Sequence, residues 1–245
     1  MIGRLHSIQS LGTVDGPGVR SVAFLAGCPL RCACCHNPET WDVRGGEEIE
    51  ASELASRLAR FSRYFGNGGG VTLSGGEPLV QAAFSAELFR LLHERGIHTA
   101  LDTSGCLPIG RETEELLNET DYVLLDIKYD TGEDYLRYVG CDISRPLSFL
   151  EYLNDKQIPT CIRRVIIPTL NDSEQNADAL ALLAARYPCV ERVELLPMRK
   201  LCITKYREMG IPFPLEKVPE PAPQAIQMLE KRISERIAAL RKGKI

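Results

Sequence analysis

The chain has 245 residues, 44% hydrophobic and 25% charged, with a formal net charge of -4, the profile of an ordinary soluble globular chain with room for one α/β domain over 1–245 and not obviously two. That balance supplies no basic field for nucleic acid, no apolar run approaches the roughly 20 residues of a membrane span, and Met1 to Ser10 lacks the charged-then-apolar pattern of a signal peptide. Nine cysteines, mostly scattered through apolar segments, do not read as a secreted disulfide framework and point to reducing cytoplasm.

In chain order, Ile2 to Ser10 partly alternates and predicts a short edge strand. Asp15-Gly16-Pro17-Gly18 predicts a turn, because glycine permits positive φ and proline fixes its own; read alone, it is a hairpin or surface turn. Ser21 to Ala26 is a nearly continuous apolar run ending at Gly27, as expected of a strand buried on both faces. It delivers a cysteine loop, Cys28-Pro29-Leu30-Arg31-Cys32-Ala33-Cys34-Cys35-His36. Leu54, Leu58, Phe61 and Phe65 then sit at helical spacing over Glu50 to Phe65, before the breaker 66–70.

The strand-then-helix unit recurs. Strands are predicted at Val71 to Ser74, Ile97 to Asp102, Tyr122 to Ile127, Thr160 to Ile167 and Val190 to Leu196. Helices are predicted around Phe84 to Leu91, Leu116-Leu117, Leu147 to Leu153 and, from the cap Asn171-Asp172-Ser173, to about Tyr187. Met209 to Pro223 is proline-rich and reads as irregular. Ile226, Leu229, Ile233, Ile237 and Leu240 mark a final amphipathic helix at about 223–242. Its Lys231, Arg232, Arg236, Arg241 and Lys242 read as a solvated face. Alternating strands and helices imply parallel pairing through right-handed crossovers, in either a doubly wound sheet or a partial barrel.

Cys28, Cys32 and Cys35 carry the chemistry. Thiolates are soft ligands, so three within eight residues suit zinc or an iron-sulfur cluster. No second Cys-x2-Cys or His-x3-His pair follows to complete a structural zinc site. Three thiolates on four irons leave one iron open for substrate. Elsewhere, the glycines of Ser74-Gly75-Gly76-Glu77-Pro78 allow close backbone approach, so that carbonyls and the Glu77 carboxylate can receive an ammonium group; the plain alternative is a strand-to-helix turn. Asp102 and Asp126 each end an apolar strand and require hydrogen bonds or cations if buried. Lys128 falls on the same side of its strand as Asp126, and strand alternation lets only one of Arg163 and Arg164 face the interior.

Six ordered motifs then give a resemblance over nearly the whole chain: Gly12 to Arg20, the cysteine loop with Asn37-Pro38-Glu39-Thr40-Trp41, Val71 to Pro78, Leu101-Asp102-Thr103-Ser104-Gly105, Leu125-Asp126-Ile127-Lys128 and Glu194-Leu195-Leu196-Pro197. The sequence resembles the radical S-adenosylmethionine (SAM) enzymes that activate glycyl radical enzymes, nearest to those serving pyruvate formate-lyase. The resemblance implies an α/β fold, a partial (β/α)6 TIM-type barrel with an added C-terminal helix, whose candidate residues lie at strand C-terminal ends, where barrel sites are built. It implies one 4Fe-4S cluster on Cys28, Cys32 and Cys35, and SAM held by Cys34, Cys35, His36, Gly75, Gly76, Glu77, Asp102, Thr103, Asp126, Ile127, Lys128, Arg163 and Arg199, with room for a monovalent cation. It also implies contact of Asp15 with a protein substrate, an electron donor such as flavodoxin or ferredoxin, and a monomer in the cytoplasm.

The sequence departs from that pattern in two places. Cys34 stands where the family usually has an aromatic residue, which creates a second register, Cys28-x3-Cys32-x-Cys34; Cys35 alone keeps the family spacing. Met198-Arg199 stands where the family typically has Tyr-His, so Arg199 is the candidate to replace that histidine. Two other readings stay open: a radical SAM enzyme acting on another glycyl radical enzyme or a small molecule, and a zinc or iron-sulfur protein without SAM chemistry.

Overall fold

The computed structural model describes residues 1–243, which form two compact units: Met1–Pro29 with Asn37–Leu124, and Leu30–His36 with the chain from Leu125 onward. The first unit contains β1 (Ile2–Gly12), β2 (Arg20–Leu25), β3 (Glu47–Glu50), α1 (Ala51–Ala59), β4 (Gly70–Gly75), α2 (Ala82–His93), β5 (His98–Thr103) and α3 (Arg111–Asn118). The second contains α4 (Gly132–Tyr138), α5 (Ser144–Asp155), β7 (Thr160–Ile166), α6 (Glu174–Arg186), β8 (Val190–Pro197), α7 (Ile203–Glu208) and α8 (Pro223–Lys242). β6 (Tyr122–Asp126) spans the division, and the eight strands follow the order β3-β1-β2-β4-β5-β6-β7-β8.

In the first unit β2, β4 and β5 run parallel, with Arg20 opposite Gly70 and Gly70 opposite His98. Parallel strands covered on both faces have no polar side to present, and β2 and β4 accordingly bury nearly every residue. α2 stops where Gly96 takes a φ of +67° and the Ile97 amide returns to the Leu92 carbonyl at 3.0 Å. β1 lies antiparallel to β2 and also pairs with β3, so the expected edge position belongs to β3. That four-residue strand buries only Ile49, too short an alternation to read from sequence.

In the second unit β7 and β8 are parallel, with Arg163 opposite Glu194. α6 begins on a capping box in which Ser173 and Asn176 satisfy each other's backbone amides. No helix or strand interrupts Met209 to Ala222, as its proline content implies. α4 and α7, of seven and six residues, were not expected; both are too short for a readable helical period. The basic side chains of α8 are not all solvated: Arg232 makes paired bonds to Asp178 of α6 at 2.8 and 2.7 Å, and Arg241 donates to the Ala184 and Val190 carbonyls. This α/β architecture, with its mostly parallel open sheet, agrees with the expected partial barrel.

Candidate functional site

Gly27 and Cys28 leave β2 with their amides bonded to the Thr40 and Trp41 carbonyls at 2.7 and 3.2 Å. Residues 30–36 belong to the second unit and have neither helix nor strand of their own. Hydrogen bonds hold them instead: the Arg31 amide donates to Val139 O at 3.3 Å, the Ala33 amide to Tyr138 O at 2.8 Å, and the Cys35 amide closes a turn on Cys32 O at 3.0 Å. Cys28, Cys32 and Cys35 are partly exposed, and the other six cysteines are buried. Burial pushes the Cys34 thiol up to about 11. Metal binding needs thiolates that can be reached, and partial exposure is the property that Cys28, Cys32 and Cys35 share and Cys34 lacks.

In the first unit, the glycines after β4 serve a close backbone approach. The Gly76 amide donates to Leu25 O and the Glu77 amide to Gly27 O, both at 2.9 Å, and a Cβ on Gly76 would run into the Gly27 carbonyl. Glu77 is 1% exposed. Its carboxylate accepts from Thr103 Oγ1 (2.6 Å), Ser104 N (2.9 Å), Ser104 Oγ (2.5 Å) and Leu79 N (3.3 Å). Burial raises its pKa against those four donors. The sequence reading offered this carboxylate to an ammonium group; the fold instead uses it to tie the end of β5 to the turn after β4, since a buried carboxylate takes the donors nearest to it. Asp102 accepts from Ser74 Oγ at 2.6 Å. Two residues earlier on the same face of β4, Thr72 Oγ1 donates to the Asp15 carbonyl at 2.6 Å. The Asp15 loop is thereby seated on the face of β4 that carries Ser74, the partner of Asp102, and is held also by the buried Arg20 guanidinium, which donates to Pro17 O at 2.9 Å.

In the second unit, the Lys128 ammonium lies 2.7 Å from Asp126, and Arg163 Nε lies 3.4 Å from the other carboxylate oxygen. Burial works against the Lys128 charge, but Asp126, then Cys32 and Cys34, hold it well above the ordinary lysine value. Burial likewise raises Asp126, and Lys128 and Arg163 bring it below the ordinary carboxylate value. Lys128 and Arg163 thus bring charge-assisted donors together at the end of β6, the kind of group that meets carboxylates. Arg164 points the other way, as strand alternation requires. It is 1% exposed, pairs with Asp130 at 2.8 Å, and donates from Nε to Ile127 O at 2.8 Å.

Three braces of this strand end were not anticipated: Arg164, Tyr135 and Asn171. Tyr135 Oη accepts from the Lys128 amide at 3.0 Å and donates to Asp126 O at 3.4 Å, and Asn171 Nδ2 donates to Lys128 O at 3.0 Å. Asn171 carried a visible signal only as a helix cap, and Tyr135 lies in a helix too short to read. Arg199 is placed differently from expectation. Its guanidinium is half-exposed and bonded to Glu220 at 3.1 Å. Burial, then Lys205, lowers the His36 pKa, which favours the neutral imidazole.

The thiols of the loop are soft donors of the kind that hold an iron-sulfur cluster, and a buried Tyr129 hydroxyl without a hydrogen-bond partner feels the charge of Cys34 and Cys32, although among the described residues no three metal-ligating side chains are already gathered as around an ion. The family profile described as the radical SAM superfamily matches residues 22–181. The class is therefore that of radical SAM enzymes, whose members carry a 4Fe-4S cluster and bind SAM. The chain is 44% identical over 236 residues to the pyruvate formate-lyase-activating enzyme of Clostridium pasteurianum, covering 96% of this chain and 98% of that one. It is 38% identical over 237 residues to the pyruvate formate-lyase-activating enzyme of Listeria monocytogenes, covering 94% and 96%. A crystal structure of Streptococcus suis SuiB bound to S-adenosylmethionine shares the fold at a TM-score of 0.66, with 18% identity over 86% of this chain and 45% of that one. The chain belongs to the family of pyruvate formate-lyase-activating enzymes.

Proposed function

We propose that this enzyme activates a glycyl radical enzyme, with pyruvate formate-lyase as its protein substrate. The observation that carries the reading is the accessible Cys28, Cys32, Cys35 triad on the family spacing, in a chain matched end to end by activases. When bound, the reduced cluster supplies the electron that cleaves SAM to methionine and a 5′-deoxyadenosyl radical, which takes a hydrogen atom from a backbone glycine of the substrate.

This chain's own residues bind and orient. Cys28, Cys32 and Cys35 would hold the cluster as thiolates. Lys128 and Arg163, gathered at Asp126, receive the SAM carboxylate, with Ile127 fixed between its neighbours by Arg164. Backbone at Gly75 and Gly76 receives the ammonium group, while Glu77 keeps Thr103 and Ser104 in place. Asp102, steadied by Ser74, faces the ribose hydroxyls. Cys34 and His36 line the adenine. Asp15 meets the protein substrate from its loop at Thr72. Flavodoxin or ferredoxin supplies the electron, and the enzyme works as a cytoplasmic monomer. Among the described residues no helix is long and apolar enough to cross a membrane, which supports a soluble setting.

The test is anaerobic reconstitution followed by electron paramagnetic resonance of the reduced protein with and without SAM, nucleoside analysis, and mixing with pyruvate formate-lyase. A cluster signal that changes with SAM, 5′-deoxyadenosine as product and a glycyl radical on the partner are expected. Zinc in place of iron, or a cluster indifferent to SAM, would overturn the reading, whereas SAM cleavage without a radical on pyruvate formate-lyase would move the target to another substrate.

A further inference from the structure

The cysteine loop is irregular backbone, and irregular backbone keeps its shape only through its hydrogen bonds. Its first half is tied to Tyr138 and Val139 through the Arg31 and Ala33 amides. Its last cysteine is tied by a residue 171 positions further on: Tyr206 of α7 donates from its hydroxyl to the Cys35 carbonyl at 3.2 Å. Tyr206 is 1% exposed, and its ring packs on Phe213 with centroids 5.0 Å apart, so the hydroxyl is presented from a fixed platform. α7 therefore grips the end of the loop at Cys35.

Because the Cys35 amide is already committed to Cys32 O, the Tyr206 bond leaves both main-chain polar groups of Cys35 engaged. The direction of its Cα–Cβ bond is then set by the backbone, which restricts its Sγ to the few staggered positions about that bond. We propose that Tyr206 is a positioning residue for the third cluster thiolate: its hydroxyl holds the Cys35 carbonyl so that the sulfur faces iron without rearrangement. This rests on the reading of Cys28, Cys32 and Cys35 as cluster ligands. It assigns α7, which carries no residue of the recognised motifs, a part in holding the metal centre.

The experiment compares full-length wild type, Tyr206→Phe and Phe213→Leu after anaerobic reconstitution with iron and sulfide. Tyr206→Phe keeps the ring and removes only the donor; Phe213→Leu loosens the platform and keeps the donor. The readouts are the rate of iron loss to a chelator, the resonance spectrum of the reduced cluster, and the melting temperature of the metal-free protein. Tyr206→Phe is expected to lose iron about fivefold faster, the equivalent of about 1 kcal/mol, the ordinary net worth of one such bond. Its cluster spectrum should shift while the metal-free protein melts within about 3 °C of wild type. Phe213→Leu should melt lower, with iron loss and spectrum closer to wild type. Equal iron loss and identical spectra for wild type and Tyr206→Phe would overturn the proposal, as would changes in both variants that simply follow their melting temperatures. A wild type that takes up no iron overturns the parent reading and this proposal with it, a result distinguishable because no cluster signal is then present in any sample.

Discussion

Lys128 and Asp126 meet at 2.7 Å at the end of β6, and Arg163 reaches the second oxygen of the same carboxylate from β7. Removing one partner of a buried pair costs more than the pair is worth, because the partner left behind remains desolvated. Asp126→Ala, which removes the carboxylate shared by Lys128 and Arg163, should cost about 3–5 kcal/mol and lower the melting temperature by about 6–20 °C. Lys128→Met should weaken SAM binding at least about tenfold, the equivalent of one charge-assisted bond, with cluster iron unchanged. Equilibrium dialysis and iron analysis check the second, thermal unfolding the first.

Glu77→Gln keeps the side-chain volume but turns one acceptor into a donor against Thr103, Ser104 and Leu79. An expected loss of about 2 kcal/mol follows from leaving buried donors unpaired. Urea unfolding of the metal-free protein measures it, and a loss near zero would show that the carboxylate has no bracing role.

Cys34→Ala should retain a full complement of iron, since its thiol is buried, whereas Cys35→Ala should lose most of the cluster. Iron and sulfide analysis after reconstitution decides it. The opposite result would establish the Cys28-x3-Cys32-x-Cys34 register.

Arg199→Ala should change SAM affinity less than about twofold, because its guanidinium spends itself on a half-exposed pair with Glu220, a kind worth about 0–1 kcal/mol. Titration calorimetry with SAM measures this. A tenfold loss would mean that the side chain leaves Glu220 for the cofactor.

His93 is bonded to Glu119 at 2.9 Å and Asp121 at 3.0 Å. Burial lowers its pKa, but Asp121 and Glu119 overcome this and set it above the ordinary histidine value. A folded-state pKa above the unfolded one contributes stability that is complete below about pH 6.5 and is lost as pH rises through the folded value. Melting temperature measured from about pH 6 to 9 should fall through that window for wild type and lose this component in His93→Gln.

Periodicity and composition alone determined much of this protein. The continuous apolar runs of β2 and β4, the capped helix after Ser173 and the proline-rich gap after Met209 are local patterns that follow from side-chain alternation, capping and the missing donor of proline. The clustering of Cys28, Cys32 and Cys35 is likewise local, because eight residues cannot place three sulfurs far apart. What tertiary structure decided is which polar groups meet. Glu77 was legible as a carboxylate at a glycine turn, but its four donors come from the turn itself and from the end of β5, so its role as a brace depends on the pairing of β4 with β5. Arg199 was legible as a substituted family position, yet Glu220 twenty-one residues away decides where its guanidinium goes. Tyr206 had no signal at all, since a hydrogen bond to Cys35 across 171 residues leaves no period, spacing or motif in the chain and exists only once α7 is packed on Phe213.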